Sequence, residues 1–225
     1  MRRVIYFVAL MLGAVADIPT EEQRTQIVEV LTHLRESVDP PASNMLLMRY
    51  SSELETAAQN FLASCSSTDF SPSTLPQDVY DLGRYYDQKG PAYVDMLTQF
   101  ASESQYYNYD QNQCTKSCNN YKRMILATSN AVGCAQNNCT RQEDASESHL
   151  TICLLKKNGG DADERPYKRG ESCSECPDGF ACHRKQCFDQ PLPVMLSPSL
   201  TTSTSTILSP VSVANMLIFV FCLNA

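Results

Sequence analysis

The sequence is short of positive charge, of histidine and of charged residues near its carboxyl end. It has 18 lysine and arginine residues against 25 aspartate and glutamate residues, which gives a formal net charge of −7. Nucleic-acid binding needs clustered basic residues, so this balance argues against a nucleic-acid partner. Charged residues make up only 19% of the chain, too few for a coiled coil, and 43% hydrophobic residues exclude disorder throughout.

Cysteine, in contrast, is abundant. The chain has 11 cysteines among 225 residues, which a reducing cytosol would leave as free thiols or metal ligands. The two ends of the chain favour an extracellular protein instead. The basic start Arg2-Arg3, the apolar run 4–12 and the small residues Ala14 and Ala16 predict a secretory signal peptide over residues 1–16.

The carboxyl end has the pattern of a lipid-attachment signal. No charged residue follows Asp189, residues 191–206 form a Ser/Thr/Pro-rich stalk, and residues 207–225 end in an apolar tail. Small residues, a spacer and a terminal apolar tail are typical of a glycosylphosphatidylinositol (GPI) signal that is removed on maturation. Ser203 or Ser199 is the predicted attachment residue. A weak single-pass tail and a purely secreted form stay open as alternatives.

Removal of Cys222 with this tail leaves ten cysteines, an even number that suits a disulfide framework. Four of them, Cys173, Cys176, Cys182 and Cys187, fall within 15 residues and predict a small cysteine-rich module over residues 161–190. The spacing is unusual for a zinc ribbon or finger, although zinc remains an alternative. In an oxidising compartment we expect the pairs Cys173–Cys182 and Cys176–Cys187.

The middle of the chain has helices first and strands later. Thr20 to Gln23 is a capping box that opens a helix ending before Pro40, and Ser52 to Glu55 is a second box. A third helix is expected to begin near Pro91 and a short fourth over residues 120–127. Residues 66–90 read as a loop, and residues 131–135 and 150–156 as strands. This order predicts an α+β fold.

Several motifs together resemble the superfamily of cysteine-rich secretory, antigen 5 and pathogenesis-related (CAP) proteins. They are LR-x4-PPASNM at 34–45, LETAAQNFLASC at 54–65, YYNYDQNQC at 106–114, VGCA at 132–135, CLLKKNGG at 153–160 and RPYKRGESCSECP at 165–177. The resemblance implies a CAP domain over residues 17–160 with a three-layer α-β-α sandwich and a small antiparallel sheet. It also implies the disulfides Cys65–Cys139, Cys114–Cys118 and Cys134–Cys153.

The resemblance also implies a central cleft in which two histidines and two glutamates can hold a divalent metal. The corresponding positions in this sequence are Leu31, Gln77, Glu103 and Asn120. Only Glu103 is ionisable, and zinc or copper prefers imidazole or thiolate ligands, so we expect a degenerate site with no metal and no cofactor. We interpret Glu103 as a hydrogen-bonded residue that holds the fold.

The sequence therefore predicts a protein that is not an enzyme. Nucleophilic catalysis needs a base beside the nucleophile, and His33, His149 and His183 are each expected at the surface. We expect a protein that binds a ligand at the cell surface, either an extracellular protein or a sterol or fatty acid. The resemblance places lipid binding at Tyr106, Tyr107 and Tyr109, with Glu103 and Asn120 in the cleft. Protease inhibition is a second alternative, and Asn138 is a glycosylation sequon.

Overall fold

The computed structural model describes residues 16–63, 75, 77–90, 92–140, 147–159 and 164–189. The helices are α1 (Glu21–Glu36), α2 (Ser52–Leu62), α3 (Tyr93–Ala101), a 3₁₀ helix (Ser102–Tyr106) and α4 (Asn119–Met124). The strands are β1 (Arg49–Tyr50), β2 (Val79–Asp87), β3 (Tyr107–Asn108), β4 (Gln113–Cys114), β5 (Ala131–Thr140), β6 (Glu147–Lys156), β7 (Ala181–His183) and β8 (Gln186–Phe188). Among these residues, no helix combines the length and the apolar character needed to cross a membrane.

Local sequence signals set the helix starts. At α1 the predicted capping box is confirmed, because the Thr20 side chain accepts from the Gln23 N–H and the Gln23 side chain accepts from the Thr20 N–H. The start of α2 differs from the prediction by one residue, since Ser51 is the N-cap and its hydroxyl accepts from the Leu54 N–H. The fourth helix ends at Met124, earlier than expected.

The main sheet has four strands in the order β1-β5-β6-β2. Strand β6 pairs antiparallel with both β2 and β5, whereas β1 pairs with β5 in parallel. The prediction of a loop over residues 66–90 is wrong for its second half, which forms β2. This strand lies at an edge of the sheet, and its pairing shifts register between Leu82 and Tyr85, so the usual alternation of a strand is broken.

The predicted α-β-α layering is confirmed. One face of the sheet is covered by α1, α3 and α4, and the core there is formed by Ile27, Leu31, Met96, Leu97, Phe100 and Met124 against Leu82, Val132 and Leu155. The opposite face is covered by α2, where Leu54, Ala58 and Leu62 pack on Ala135, Ile152 and Leu154. A third cluster joins the loops at one end of the sandwich. It is formed by Ala42, Met45, Tyr121, Ile125, Ala127 and Tyr167.

The cysteine-rich segment, Cys173–Cys187, is attached to the sandwich by backbone and side-chain contacts. Cys187 donates to the Met45 carbonyl and accepts from the Leu47 N–H. Arg184 forms ion pairs with Glu29 and Glu36 of α1. These contacts hold the pKa values of both carboxyl groups below their usual range, chiefly through the hydrogen bonds from Arg184.

Disulfides cross-link both the sandwich and the cysteine-rich segment. The structure forms Cys114–Cys118, Cys134–Cys153, Cys173–Cys182 and Cys176–Cys187, four of the five predicted pairs. Cys139 is also disulfide-bonded, and its predicted partner Cys65 lies outside the described residues. The sulfurs of Cys173, Cys176 and Cys187 lie within 4.8 Å of one another, but all three are in disulfides, so the donor set does not fit zinc.

The amino-terminal residues of the described chain belong to the folded domain. Ala16 is buried beside α2, and its carbonyl accepts a hydrogen bond from Gln59. Asp17 pairs with Gln136 of β5 through two backbone hydrogen bonds. The last residue of the predicted signal peptide therefore contributes to the core beneath α2.

Candidate functional site

Glu103 and Asn120, two of the four candidate cleft residues, are adjacent in the structure. Glu103 lies in the 3₁₀ helix after α3, and Asn120 lies in the first turn of α4. One Glu103 carboxylate oxygen accepts from Asn120 Nδ2 at 3.0 Å, and the other accepts from the Tyr121 N–H at 3.1 Å. Asn120 Oδ1 accepts in turn from the Gly83 N–H at 3.1 Å. These bonds join α4, the end of α3 and strand β2.

The other two candidate residues have different surroundings, and their assignment to the cleft stays a prediction. Leu31 is fully buried in the core beneath α1, where its neighbours are apolar. Gln77 is exposed in the turn before β2. Within the described part of the chain, neither residue forms a hydrogen bond to Glu103 or Asn120.

This donor set does not fit the divalent metal that the resemblance implies. It offers one carboxylate and one amide, and both carboxylate oxygens already accept hydrogen bonds. Zinc and copper favour imidazole or thiolate, but no histidine among the described residues contacts this pair. His33 lies on α1, His149 on β6 and His183 on β7. We therefore assign no metal-dependent chemistry to Glu103.

Sequence reasoning missed the residues beside this pair because it assigned β2 to a loop. Gly83 approaches Asn120 so closely that a Cβ there would lie 3.3 Å from Asn120 Nδ2. On the same strand, the Tyr80 ring lies 5.5 Å from the guanidinium of Arg123 and 4.9 Å from the ammonium of Lys157. Alternation of the apolar Tyr80 and Leu82 with Asp81 and Gly83, after the β-branched Val79, was the signal that could have found this strand.

The tyrosine-rich loop is packed rather than open. The Tyr107 hydroxyl donates to Asn112 Oδ1 at 3.0 Å, and its ring lies 6.0 Å from that of Tyr121. Burial raises the pKa of Tyr107 to about 12. Tyr109 stacks on Tyr167, and Tyr106 lies 5.0 Å from the Lys116 ammonium. The three side chains thus do not form one continuous apolar surface.

The remaining predicted sites lie at the surface or outside the described residues. Asn138 is exposed on β5, directly opposite His149 of β6. The predicted attachment residues Ser199 and Ser203, the stalk, the apolar tail and residues 1–15 of the signal peptide are outside the described part of the chain.

Comparisons with known proteins agree on one family. Residues 28–155 match the family described as "Cysteine-rich secretory protein family" (CAP). The chain is 31% identical over 180 residues to cysteine-rich secretory protein 1 of Macaca mulatta, covering 77% of this chain and 70% of that protein. It is 27% identical over 186 residues to peptidase inhibitor 16 of Bos taurus, covering 79% of this chain.

The chain spans only 39% of the length of that peptidase inhibitor 16. Among solved structures, the hookworm platelet inhibitor superposes with a TM-score of 0.60 at 18% identity, covering 78% of this chain and 95% of that one, which shows a shared fold. The four-stranded sheet between helical layers, the disulfides and the matched sequence lead to one conclusion: this chain belongs to the cysteine-rich secretory protein (CAP) family.

Proposed function

We propose that this chain is an extracellular, non-enzymatic CAP protein that recognises a protein partner at the cell surface. The disulfides support an oxidising compartment. The family to which the chain belongs is described as a secretory protein family. The acidic net charge does not favour binding to anionic lipid headgroups, so we assign its membrane association to the lipid anchor predicted at Ser203 or Ser199.

The hydrogen bonding of Glu103 is the observation that carries the proposal. Its carboxylate accepts hydrogen bonds from Asn120 and from the Tyr121 N–H, so the ionisable residue of the cleft holds α4 in place. A general base needs a reachable proton and a positioned nucleophile, and within the described residues no serine, threonine or histidine contacts this carboxylate. This arrangement suits recognition better than turnover.

Fatty-acid or sterol binding is a second candidate, and one observation favours it. An open apolar groove of about 390 Å³ lies between α1 and α3, lined in part by Val30, Leu34 and Ala101. It does not include the tyrosines to which the sequence assigned lipid binding. Protease inhibition rests only on the names of relatives such as peptidase inhibitor 16.

The test uses the full chain on living cells. We expect phosphatidylinositol-specific phospholipase C to release it, and we expect cross-linking before release to attach one extracellular protein. Amino-terminal sequencing of the released protein shows directly whether the signal peptide is removed after Ala16, as the sequence predicts.

Two controls make this experiment decisive. Surface protein that resists the phospholipase would contradict the lipid anchor. Lipid extraction of the released protein should give no stoichiometric fatty acid or sterol; if it gives one and cross-linking yields no partner, the second candidate replaces the first. A cross-linked protease would replace it with inhibition.

A further inference from the structure

A second cavity lies apart from Glu103 and Asn120. It is open to solvent and has a volume of about 790 Å³. It lies between the tyrosine-rich loop and residues 164–169, and residues 126–128 form its floor. Its lining mixes apolar and polar surface, and the polar members include Asn44, Tyr109, Thr128, Arg165, Lys168 and Arg169. Pockets of this size with a few converging polar groups are the usual form of a ligand site.

One wall of this pocket is a pair of ordered aromatic rings. Tyr109 and Tyr167 stack with their centroids 4.7 Å apart and an angle of 29° between the rings. The Tyr109 hydroxyl donates to the Tyr167 carbonyl at 2.8 Å, and Tyr167 is only 4% exposed. The wall is therefore fixed before any ligand binds, which lowers the entropy cost of binding.

Among the residues that the structure describes, one cation of the pocket has no anionic partner. Three described residues that line it are cations, and only Glu164 is an anion. Arg169 pairs with Asp110, and Lys168 pairs with Glu175 at 2.7 Å. Arg165 instead donates to the backbone carbonyls of Tyr109 and Asp110, and among the described residues it has no carboxylate partner.

Both arginines also lie against one ring. The guanidinium of Arg165 is 5.8 Å and that of Arg169 is 5.1 Å from the centroid of Tyr109. Asp110 already pairs with Arg169, so among the described residues an added anion would find its partner at Arg165. A planar carboxylate is the group that a guanidinium binds best, through two parallel hydrogen bonds.

We propose that this pocket binds an acidic sugar at the end of an extracellular glycan, with the sugar carboxylate on Arg165. Asn44 Oδ1 accepts from the Lys168 N–H, which leaves the Asn44 amide N–H groups to donate to a sugar hydroxyl. The Thr128 hydroxyl donates to the Gly159 carbonyl, which leaves its oxygen to accept. A sterol would strip these groups of water without replacing their hydrogen bonds.

This inference deepens the proposed function and rests on it, because it names the chemistry on the partner that the protein recognises. The probe is the methyl glycoside of N-acetylneuraminic acid, titrated into the full mature protein and followed by NMR, with methyl galactoside as the neutral probe. We expect saturable binding of the acidic sugar that weakens as salt rises, and much weaker binding of the neutral one.

Arg165→Gln should weaken binding of the acidic sugar at least ten-fold, and Arg165→Lys should fall between it and the wild type. Lys89→Gln, which removes an exposed cation outside the pocket, is the matched control and should bind like the wild type. Equal melting temperatures of the three variants exclude an effect through folding.

The inference is wrong if no saturable binding is seen at millimolar sugar, if Arg165→Gln binds like the wild type, or if both sugars bind equally. These outcomes leave the proposed function testable by itself, because a protein partner cross-linked at the cell surface through another face would still support it. Loss of both the cross-linked partner and the sugar binding would refute both proposals.

Discussion

Replacement of Arg35 by methionine should prevent secretion of folded protein. Arg35 lies on α1 and is 1% exposed. Its Nη1 donates to the carbonyls of Met124 and Leu126, and its Nη2 donates to those of Leu46 and Ser129, all at 2.8 to 3.0 Å. Burial lowers its pKa to about 9, which leaves it charged at neutral pH.

The size of this effect follows from the carbonyls that would lose their donor. Met124 is the last residue of α4, where carbonyl groups have no partner within the helix and favour a nearby positive charge. The Leu126 carbonyl keeps a donor in the Ser129 N–H. Each of the other three buried carbonyls, once left without a donor, costs about 1 to 3 kcal/mol, so together they remove much of the stability of an ordinary domain.

We expect Arg35→Met to be absent from the medium and Arg35→Lys, which keeps the charge with fewer donors, to be secreted at reduced yield. Arg169→Met removes a half-exposed arginine and should unfold in urea within about 1 kcal/mol of the wild type. Secretion of Arg35→Met with a wild-type urea midpoint would contradict the role given to this guanidinium.

The second large effect is expected at Gly133. A Cβ at this position of β5 would lie 2.2 Å from the Glu55 nitrogen and 2.5 Å from the Leu54 carbonyl carbon, both in the backbone of α2. Backbone cannot rotate away as a side chain can, so Gly133→Ala must displace the helix from the sheet. Overpacking costs about 1 to 3 kcal/mol even where side chains can adjust, and we expect more here.

This displacement would also break a buried ion pair. Glu55 is 5% exposed and accepts from Arg24 through both carboxylate oxygens, and the Tyr50 hydroxyl donates to the same carboxylate at 2.7 Å. A carboxylate that loses such partners while it stays buried destabilises a fold by about 3 to 5 kcal/mol.

Gly83→Ala is the matched control for Gly133→Ala. It lies in the same sheet, but a Cβ there would meet side-chain atoms of Asn120 and Phe100 at 3.3 to 3.4 Å, and these can shift slightly. We expect Gly83→Ala to be secreted and Gly133→Ala to be retained in the cell. Similar urea midpoints for the two variants would show that α2 can move away from β5 at little cost.

The sequence contained enough information for the helices but not for their long-range contacts. The Thr20 capping box and the apolar spacing of Ile27 and Leu31 are local, and α1 was predicted from them. The same spacing places Arg35 on the buried side of α1, one turn after Leu31, but three of the four carbonyls named above lie about 90 residues away. No local pattern shows that carbonyl groups meet it there.

Only part of the candidate site was predicted, again because its contacts join residues far apart in the sequence. Glu103 was interpreted as a hydrogen-bonded residue, and its two contacts agree with that interpretation. Leu31 and Gln77 were assigned to the same cleft by resemblance alone, and the structure places one in the core and the other in an exposed turn. The tyrosines could not be placed either, because Tyr109 packs on Tyr167, 58 residues later.

The carboxylate of Glu103 accepts hydrogen bonds from Asn120 and from the Tyr121 N–H, and we expect it not to bind a metal. The test is isothermal titration calorimetry, in which Zn²⁺ is titrated into the purified protein at neutral pH and the heat of binding is measured. The Glu103→Gln variant is titrated in the same way. We expect no saturable uptake by either protein. A one-to-one isotherm for the wild type that disappears in Glu103→Gln would show instead that Glu103 is a metal ligand.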